Sequence, residues 1–213
     1  MSSLPKRALI ALAAVLLVLP ALAPRALAQD HSNPRVRLHT TAGDIVLELA
    51  ADKAPITTKN FLHYVDTKRL DGASFFRASR PKGYTKDDYG IVEGGIRNAP
   101  GKLFPPIAHE STAKTGLSNT DGAISMARNA PGTAQANFSI CVGDQTYLDA
   151  DPKDPKGKPG YAAFGHVVEG MDVVRKILVM PTDPKKGTGV MKGEILAKPV
   201  KIITARRVSA EAS

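Results

Sequence analysis

The sequence predicts a mainly β protein, a closed eight-stranded antiparallel barrel capped by two α-helices. Two observations favour this fold. Short apolar runs recur between residues 36 and 204, and loops rich in Gly and Pro separate them. The two segments with helical periodicity interrupt the strands instead of alternating with them, which argues against a parallel α/β sheet.

The chain begins its predicted fold with a β-hairpin followed by a helix. Residues 36–40 alternate in polarity as a strand does, a turn follows at 41–44, and residues 45–49 pair back. Pro55 suits the start of a helix because its missing N–H has no helical partner there. A helix is therefore predicted from about residue 56 to residue 68. Its apolar stripe consists of Phe61, Leu62 and Val65.

The next predicted strands are the segments SFFRA, GIVEGG, GAISMAR, NFSICVG and AAFGHVV, in chain order. A second helix is predicted near residues 170–179, where apolar side chains share one face, and Pro181 ends it. A final strand over residues 200–204 precedes a polar tail. Two loops, 80–90 and 149–160, are long and rich in charge. They are expected either to flank a binding groove or to be tolerated surface insertions.

The N-terminus has the pattern of a secretory signal peptide. Lys6 and Arg7 precede a 12-residue apolar run over 8–19, and an A-x-A signature over 26–28 predicts cleavage after Ala28. The alternative is an uncleaved anchor, but the run is shorter than the roughly 20 residues that span a bilayer. The predicted organisation is a signal peptide at 1–28, a polar leader at 29–34, a barrel domain at 35–208 and a tail at 209–213.

Composition argues against several classes of function. The formal net charge is +9, but no run of five basic residues occurs, so no nucleic-acid partner is expected. The single cysteine, Cys141, lies in an apolar strand and is expected to be a buried, inert thiol. The five histidines show no paired spacing, and no dinucleotide or G-x-S-x-G motif is present. No metal and no cofactor are therefore expected.

Several segments carry a family resemblance. After the hairpin come ADKAPITTKNF, ASFFR, VEGG, ISMARNAPGTAQANFSIC, YLD and AFGHVVEGMDVVRKI, in that order. With them the sequence resembles the cyclophilin-type peptidyl-prolyl cis-trans isomerases over most of residues 36–207. The family fold, an eight-stranded barrel capped by two helices, agrees with the strand count above. With the signal peptide, the resemblance implies a bacterial exported isomerase in the periplasm, a monomer that acts on proline-containing polypeptides in folding proteins.

The resemblance assigns the catalytic role to Arg77. From the residues alone, Arg77 is better explained as an edge-strand arginine that reaches water. The family instead places its catalytic arginine at this position of the F-x-R segment. A charged donor aimed at the prolyl nitrogen stabilises the twisted imide. By resemblance the proline slot falls on Phe76, Ile91, Ser139, Leu148 and Tyr161, the peptide-backbone contacts on Glu93, Ala127, Arg128 and Asn137, and the rim on Tyr147.

Six of these positions depart from the common family residues. Phe76 and Tyr161 replace His, Glu93 and Asn137 replace Gln, Ser139 replaces a Phe, and Tyr147 stands where some members have Trp. The Tyr147 change predicts weak binding of cyclosporin.

The departures leave some alternatives open. Loss of the ring at Ser139 predicts a roomier slot, which Phe76 or Phe138 would refill. Glu93 either pairs with Arg77 or competes with substrate for it. A non-catalytic chaperone or adaptor that binds X–Pro segments therefore stays an alternative. An unrelated barrel that holds a small apolar ligand is a second alternative.

Overall fold

The computed structural model describes residues 33–97, 99–154 and 156–209. The predicted signal peptide at residues 1–28 lies outside the described residues. Eight strands form one closed barrel in the order β1-β2-β7-β5-β6-β4-β3-β8, and every neighbouring pair is antiparallel. The predicted fold class is therefore confirmed. The strands are β1 Arg35–Thr40, β2 Gly43–Leu49, β3 Ser74–Ser79, β4 Gly90–Gly95, β5 Ala123–Met126, β6 Phe138–Val142, β7 Ala162–Glu169 and β8 Ile195–Val208.

Two helices of the predicted kind pack on this barrel, and the described residues contain a third, short one that was not predicted. The helices are α1 Pro55–Asp66, α2 Thr112–Thr115 and α3 Met171–Leu178. The buried face of α3 contains Val174, Ile177 and Leu178. None of the described helices has the length and apolar character needed to cross a membrane.

Side chains fill the barrel interior. Phe61 of α1 meets Phe138 edge-on at 5.4 Å between ring centroids and Phe164 at the same distance. Phe75 meets Phe138 at 5.7 Å. All four rings are at most 2% exposed. An eight-stranded barrel packed in this way is a core and leaves no room for a ligand, which argues against the apolar-ligand carrier.

The last strand is longer than the predicted one. Clean alternation is confined to residues 200–204, but β8 extends over Ile195–Val208. Its C-terminal half pairs with β1 up to the Arg35–Val208 register. There Arg206 and Arg207 form ion pairs at 2.8 and 2.6 Å with Asp71 and Asp66. In the sequence the consecutive arginines suggest a polar tail. In the structure their ion pairs with Asp71 and Asp66 allow both to lie in a strand.

Candidate active site

A cavity of about 500 Å³ opens on the outer face of the barrel above β3, β4, β6 and β5. The outer location follows from the alternation of side chains along the strands. On β4, Ile91 and Glu93 line the cavity, whereas Val92 between them is fully buried in the core. On β6, Ser139 lines the cavity, whereas Phe138 packs inside the barrel.

The strand register brings the floor of the cavity together. Arg77 of β3 lies opposite Glu93 of β4, Glu93 lies opposite Ser139 of β6, and Ser139 lies opposite Ser125 of β5. Side chains that are directly opposite in antiparallel strands have Cβ atoms about 4.5–5.5 Å apart. Residues that are up to 46 positions apart in neighbouring strands thus form one row. The end of the cavity floor at Arg77 and Glu93 is charged, and the end at Ser139 and Ser125 consists of small side chains.

The Arg77 guanidinium lies between two carboxylates. Its Nη1 donates to Oε2 of Glu93 at 2.9 Å, and its Nε donates to Oε2 of Glu194 at 2.8 Å. Nη2 lies 2.7 Å from the same Glu194 oxygen. Burial alone lowers the pKa of Arg77, but the hydrogen bonds with both carboxylates more than offset it, so the pKa is raised. Arg77 is therefore a permanent cation. Of the two roles predicted for Glu93, pairing with Arg77 or competition with substrate, the structure shows the pairing.

The guanidinium still has donors for a ligand. The contacts with Glu93 and Glu194 use three of its five N–H bonds, one each on Nη1, Nε and Nη2, and no other hydrogen-bond acceptor for Arg77 occurs in the described part of the chain. The side chain is 13% exposed and lines the cavity. A carbonyl oxygen in the cavity, or an amide nitrogen that has become pyramidal, can therefore meet a charged donor with a fixed orientation.

Another wall of the cavity comes from a short 3-10 turn, Thr146–Leu148, and from Tyr161, directly before β7. Asp149 fixes this turn, since its Oδ1 accepts bonds from the backbone and side-chain N–H groups of Asn119 at 2.9 and 2.6 Å. The Tyr161 N–H donates to the Leu148 carbonyl at 2.8 Å. Leu148 and Tyr161 are thereby held side by side, while Tyr147 is 57% exposed at the rim.

Backbone geometry explains the VEGG segment. A Cβ on Gly94 would lie 2.8 Å from the Phe75 ring, and one on Gly95 would lie 2.7 Å from Cα of Asn137. Gly95 also has φ of +133°, which L side chains rarely adopt. The absence of side chains here lets the segment that carries Asn137 approach β4, and the Asn137 carbonyl accepts a bond from Ala127 N–H at 2.9 Å.

All but one of the predicted site residues line this single cavity. They are Arg77, Ile91, Glu93, Ala127, Arg128, Asn137, Ser139, Tyr147, Leu148 and Tyr161. Arg128 donates to the Gly160 carbonyl, and its guanidinium carbon lies 4.8 Å from the centroid of the Tyr161 ring. These contacts hold Arg128 against the wall that Tyr161 forms.

Phe76 is the exception and does not line the cavity. In β3, Phe75 pairs with Gly94 and Arg77 pairs with Glu93, so Phe76 is the extra residue of a β-bulge. Its ring is 3% exposed and lies beneath the guanidinium of Arg97, 4.7 Å from ring centroid to Cζ. Phe138 points into the core, so neither ring refills the slot at Ser139. The position next to Ile91 and Leu148 in the cavity lining is therefore left to the small, polar Ser139 side chain.

The sequence interpretation missed one part of the site. Loops 80–90 and 149–160 supply no lining residue, whereas the segment before β8 supplies Val190 and Met191. That segment also supplies Glu194, the second carboxylate on Arg77. No local pattern marks this residue, which is 117 positions from Arg77. No group of three or more residues able to hold a metal ion occurs in the described part of the chain.

The family model for cyclophilin type peptidyl-prolyl cis-trans isomerases matches residues 35–206. The chain belongs to this family. A peptidyl-prolyl cis-trans isomerase of Acinetobacter baylyi is 35% identical over 176 residues, which cover 82% of this chain and 86% of that relative. Peptidyl-prolyl cis-trans isomerase B of Escherichia coli is 41% identical over 143 residues, which cover 67% and 82%. The predicted enzyme class agrees with the family and with both names.

A solved structure supports the fold of this cyclophilin-type chain. A cyclophilin type peptidyl-prolyl cis-trans isomerase of Cryptosporidium parvum, solved in the presence of the dipeptide Ala-Pro, has a TM-score of 0.64 and 21% sequence identity. The match covers 82% of this chain and 99% of that one. At this identity the likeness concerns the barrel and not the details of the cavity.

Proposed function

We propose that this chain accelerates the cis-trans isomerisation of X–Pro bonds in exported proteins as they fold, with Arg77 as the catalytic residue. The observation that carries the proposal is the Arg77 guanidinium, which is held by Glu93 and Glu194 and lines a cavity with the apolar Ile91 and Leu148. The family and the names of its relatives support the reaction. The signal-peptide pattern at residues 1–28 supports export to the periplasm.

The chemistry needs no nucleophile. Resonance opposes rotation about a peptide bond by roughly 18–20 kcal/mol. In the half-turned state the prolyl nitrogen becomes pyramidal and gains a lone pair, so a fixed cation stabilises this state more than the planar one. Arg77 suits this task because the guanidinium stays protonated and its planar fork is pre-organised.

One hydrogen bond does not account for a large rate gain. A charge-assisted bond contributes about 1.5–3 kcal/mol, whereas a rate gain of about 10⁵ needs roughly 7 kcal/mol. The remainder is assigned to the geometry of the bound peptide, with the proline ring against Ile91 and Leu148 and the flanking backbone on the segment from Ala127 to Asn137. The small, polar Ser139 makes the slot a loose fit for the ring, so a slow enzyme is expected.

The test is a prolyl-isomerisation assay on X–Pro peptides with the wild type, Arg77→Ala and a matched control. Arg77→Ala is expected to lower kcat/KM about 10- to 100-fold, the equivalent of one charge-assisted bond. The control is Arg35→Ala, which removes an arginine that is also paired with a glutamate at 2.9 Å but lies outside the cavity. Equal rates for wild type and Arg77→Ala would exclude Arg77 as the catalyst.

The polar slot favours a second candidate, a chaperone or adaptor that binds X–Pro segments without catalysis. Ser139 offers no ring to the proline, and Arg77 is already paired with two carboxylates. Titration of the same peptides, followed by NMR, separates the two functions. Saturable binding to the wild type without exchange between the cis and trans peptide signals would support the second candidate.

A further inference from the structure

The segment between α3 and β8 is built as a fixed loop. The Gly193 N–H donates to the Lys186 carbonyl at 2.9 Å, and the Asp183 N–H donates to the Ile195 carbonyl at 2.8 Å. Gly187 has φ of +84°, and a Cβ there would lie 2.7 Å from the Met191 carbonyl carbon. The loop therefore closes tightly on itself directly before Glu194.

Glu194 is anchored on both its backbone and its side chain. Its carbonyl accepts a bond from the Ala78 N–H at 3.0 Å, at the residue directly after Arg77. Its Oε1 accepts from the Ser79 hydroxyl at 2.8 Å, which leaves Oε2 for Nε and Nη2 of Arg77. The carboxylate therefore has a fixed orientation before it meets the guanidinium.

We propose that Glu194, held by Ser79, is the positioning residue that aims the Arg77 guanidinium into the cavity, an inference that rests on the proposed isomerase function. Glu93 holds Nη1 alone, so the group can still turn about that single bond. Glu194 holds the opposite edge, and two contacts on separate edges fix the plane of a guanidinium. A catalytic group that is about 1 Å out of place can cost roughly 10²-fold in rate.

The kinetic test compares two substitutions at this position. Glu194→Ala leaves Arg77 held at one edge and is expected to lower kcat about 10- to 100-fold, with KM within about twofold. Glu194→Gln keeps an acceptor oxygen, and kcat is expected to stay within about threefold of the wild type. In the Arg77→Ala background, Glu194→Ala is expected to have no further effect. Glu48→Ala is the matched control, because Glu48 is 23% exposed against 24% for Glu194 and is bonded to Arg35 outside the cavity.

Two kinetic outcomes would overturn the proposal. Wild-type kcat in Glu194→Ala would show that the second contact does not aim Arg77. Equal changes in Glu194→Ala and Glu194→Gln would show that the charge of Glu194 matters and its geometry does not. Far-UV circular dichroism and thermal unfolding of each variant show whether the barrel is intact.

A second measurement does not depend on activity. In the wild type the Nε proton of Arg77 is expected to exchange slowly with water in NMR experiments, because it is bonded to Glu194. Exchange should be at least about tenfold faster in Glu194→Ala and much closer to the wild type in Glu194→Gln. Unchanged exchange in Glu194→Ala would overturn the proposal. A wild type that shows slow exchange but no isomerisation would overturn the proposed function alone.

Discussion

Burial disfavours the charged form of two ionisable side chains that line the cavity, but the outcome differs between them. Burial raises the pKa of the Cys141 thiol from 9.0 to about 12, with smaller contributions from Asp149 and Asp121. The Arg77 cation is also partly buried, but Glu93 and Glu194 compensate for the loss of water. The uncharged state is favoured for one group and the charged state for the other, so Arg77 is suited to catalysis and Cys141 is inert.

The Cys141 thiol should make stability depend on pH in the alkaline range. Between pH 9 and pH 12 the native protein binds more protons at Cys141 than the unfolded chain does, so stability falls as pH rises. The free energy of unfolding of the wild type, relative to Cys141→Ala, should therefore fall by about 1.4 kcal/mol between pH 7 and pH 10. Urea unfolding of both proteins at several pH values measures the difference. A constant difference across this range would mean that the thiol ionises normally.

The residues of the site differ in how far the sequence could predict them. Arg77 and its neighbours on β4 and β6 lie in short family segments, so their positions follow from the resemblance. Glu194 lies in a loop where neither periodicity nor a motif marks it, and only the pairing of β3 with β8 brings it to Arg77. Phe76 was assigned to the slot by the family resemblance, whereas in the structure it is the extra residue of the bulge in β3 and does not line the cavity.

Helix α1 follows its local sequence pattern, but its N-terminal cap depends on a distant residue. Helix α1 begins at Pro55, as the sequence predicts, yet Ala54 in front of it offers no side-chain cap. Glu110 supplies the missing acceptors, since Oε1 accepts from the Ile56 N–H at 3.2 Å and Oε2 from the Thr57 N–H at 2.8 Å. Oε2 also accepts from the Thr57 hydroxyl at 2.7 Å. A carboxylate at a helix N-terminus also interacts favourably with the helix dipole.

Removal of the Glu110 carboxylate should destabilise the fold. Glu110 is 2% exposed, so Glu110→Ala leaves the N–H groups of α1 without this acceptor and should lower the free energy of unfolding by about 1–3 kcal/mol. Glu110→Gln keeps one acceptor oxygen and should lower the free energy of unfolding by less than Glu110→Ala does. Chemical denaturation gives the values, with Glu169→Ala at an exposed position as the control. Wild-type stability in Glu110→Ala would show that α1 needs no remote cap.

The closed barrel could be predicted because short apolar runs separated by Gly- and Pro-rich loops mark the strands along the chain. The cavity could not be predicted in the same way, because it depends on registers between strands that are distant in sequence. The row from Arg77 through Glu93 and Ser139 to Ser125 exists only once β3, β4, β6 and β5 are aligned. The resemblance to the family predicts the positions of the cavity residues without that alignment. Where a segment departs from the family pattern, as at Ser139, the sequence predicts the chemical character of the side chain but not the shape of the cavity.

Export is a prediction for the chain as a whole. The positive residues Lys6 and Arg7, the apolar run at 8–19 and the A-x-A signature favour cleavage after Ala28, which would leave the family-matched segment 35–206 intact. Expressed from Met1 in a Gram-negative host, the protein should be recovered from the periplasm with Gln29 as its first residue, as measured by intact mass. A matched variant with Ala26→Asp and Ala28→Asp keeps the apolar run but loses the small residues at the cleavage site, so it should retain residues 1–28 and stay with the membrane fraction. Wild-type protein that keeps Met1 or stays in the cytoplasm would contradict export and, with it, a role in the folding of exported proteins, while isomerase activity in the purified chain would be a separate result.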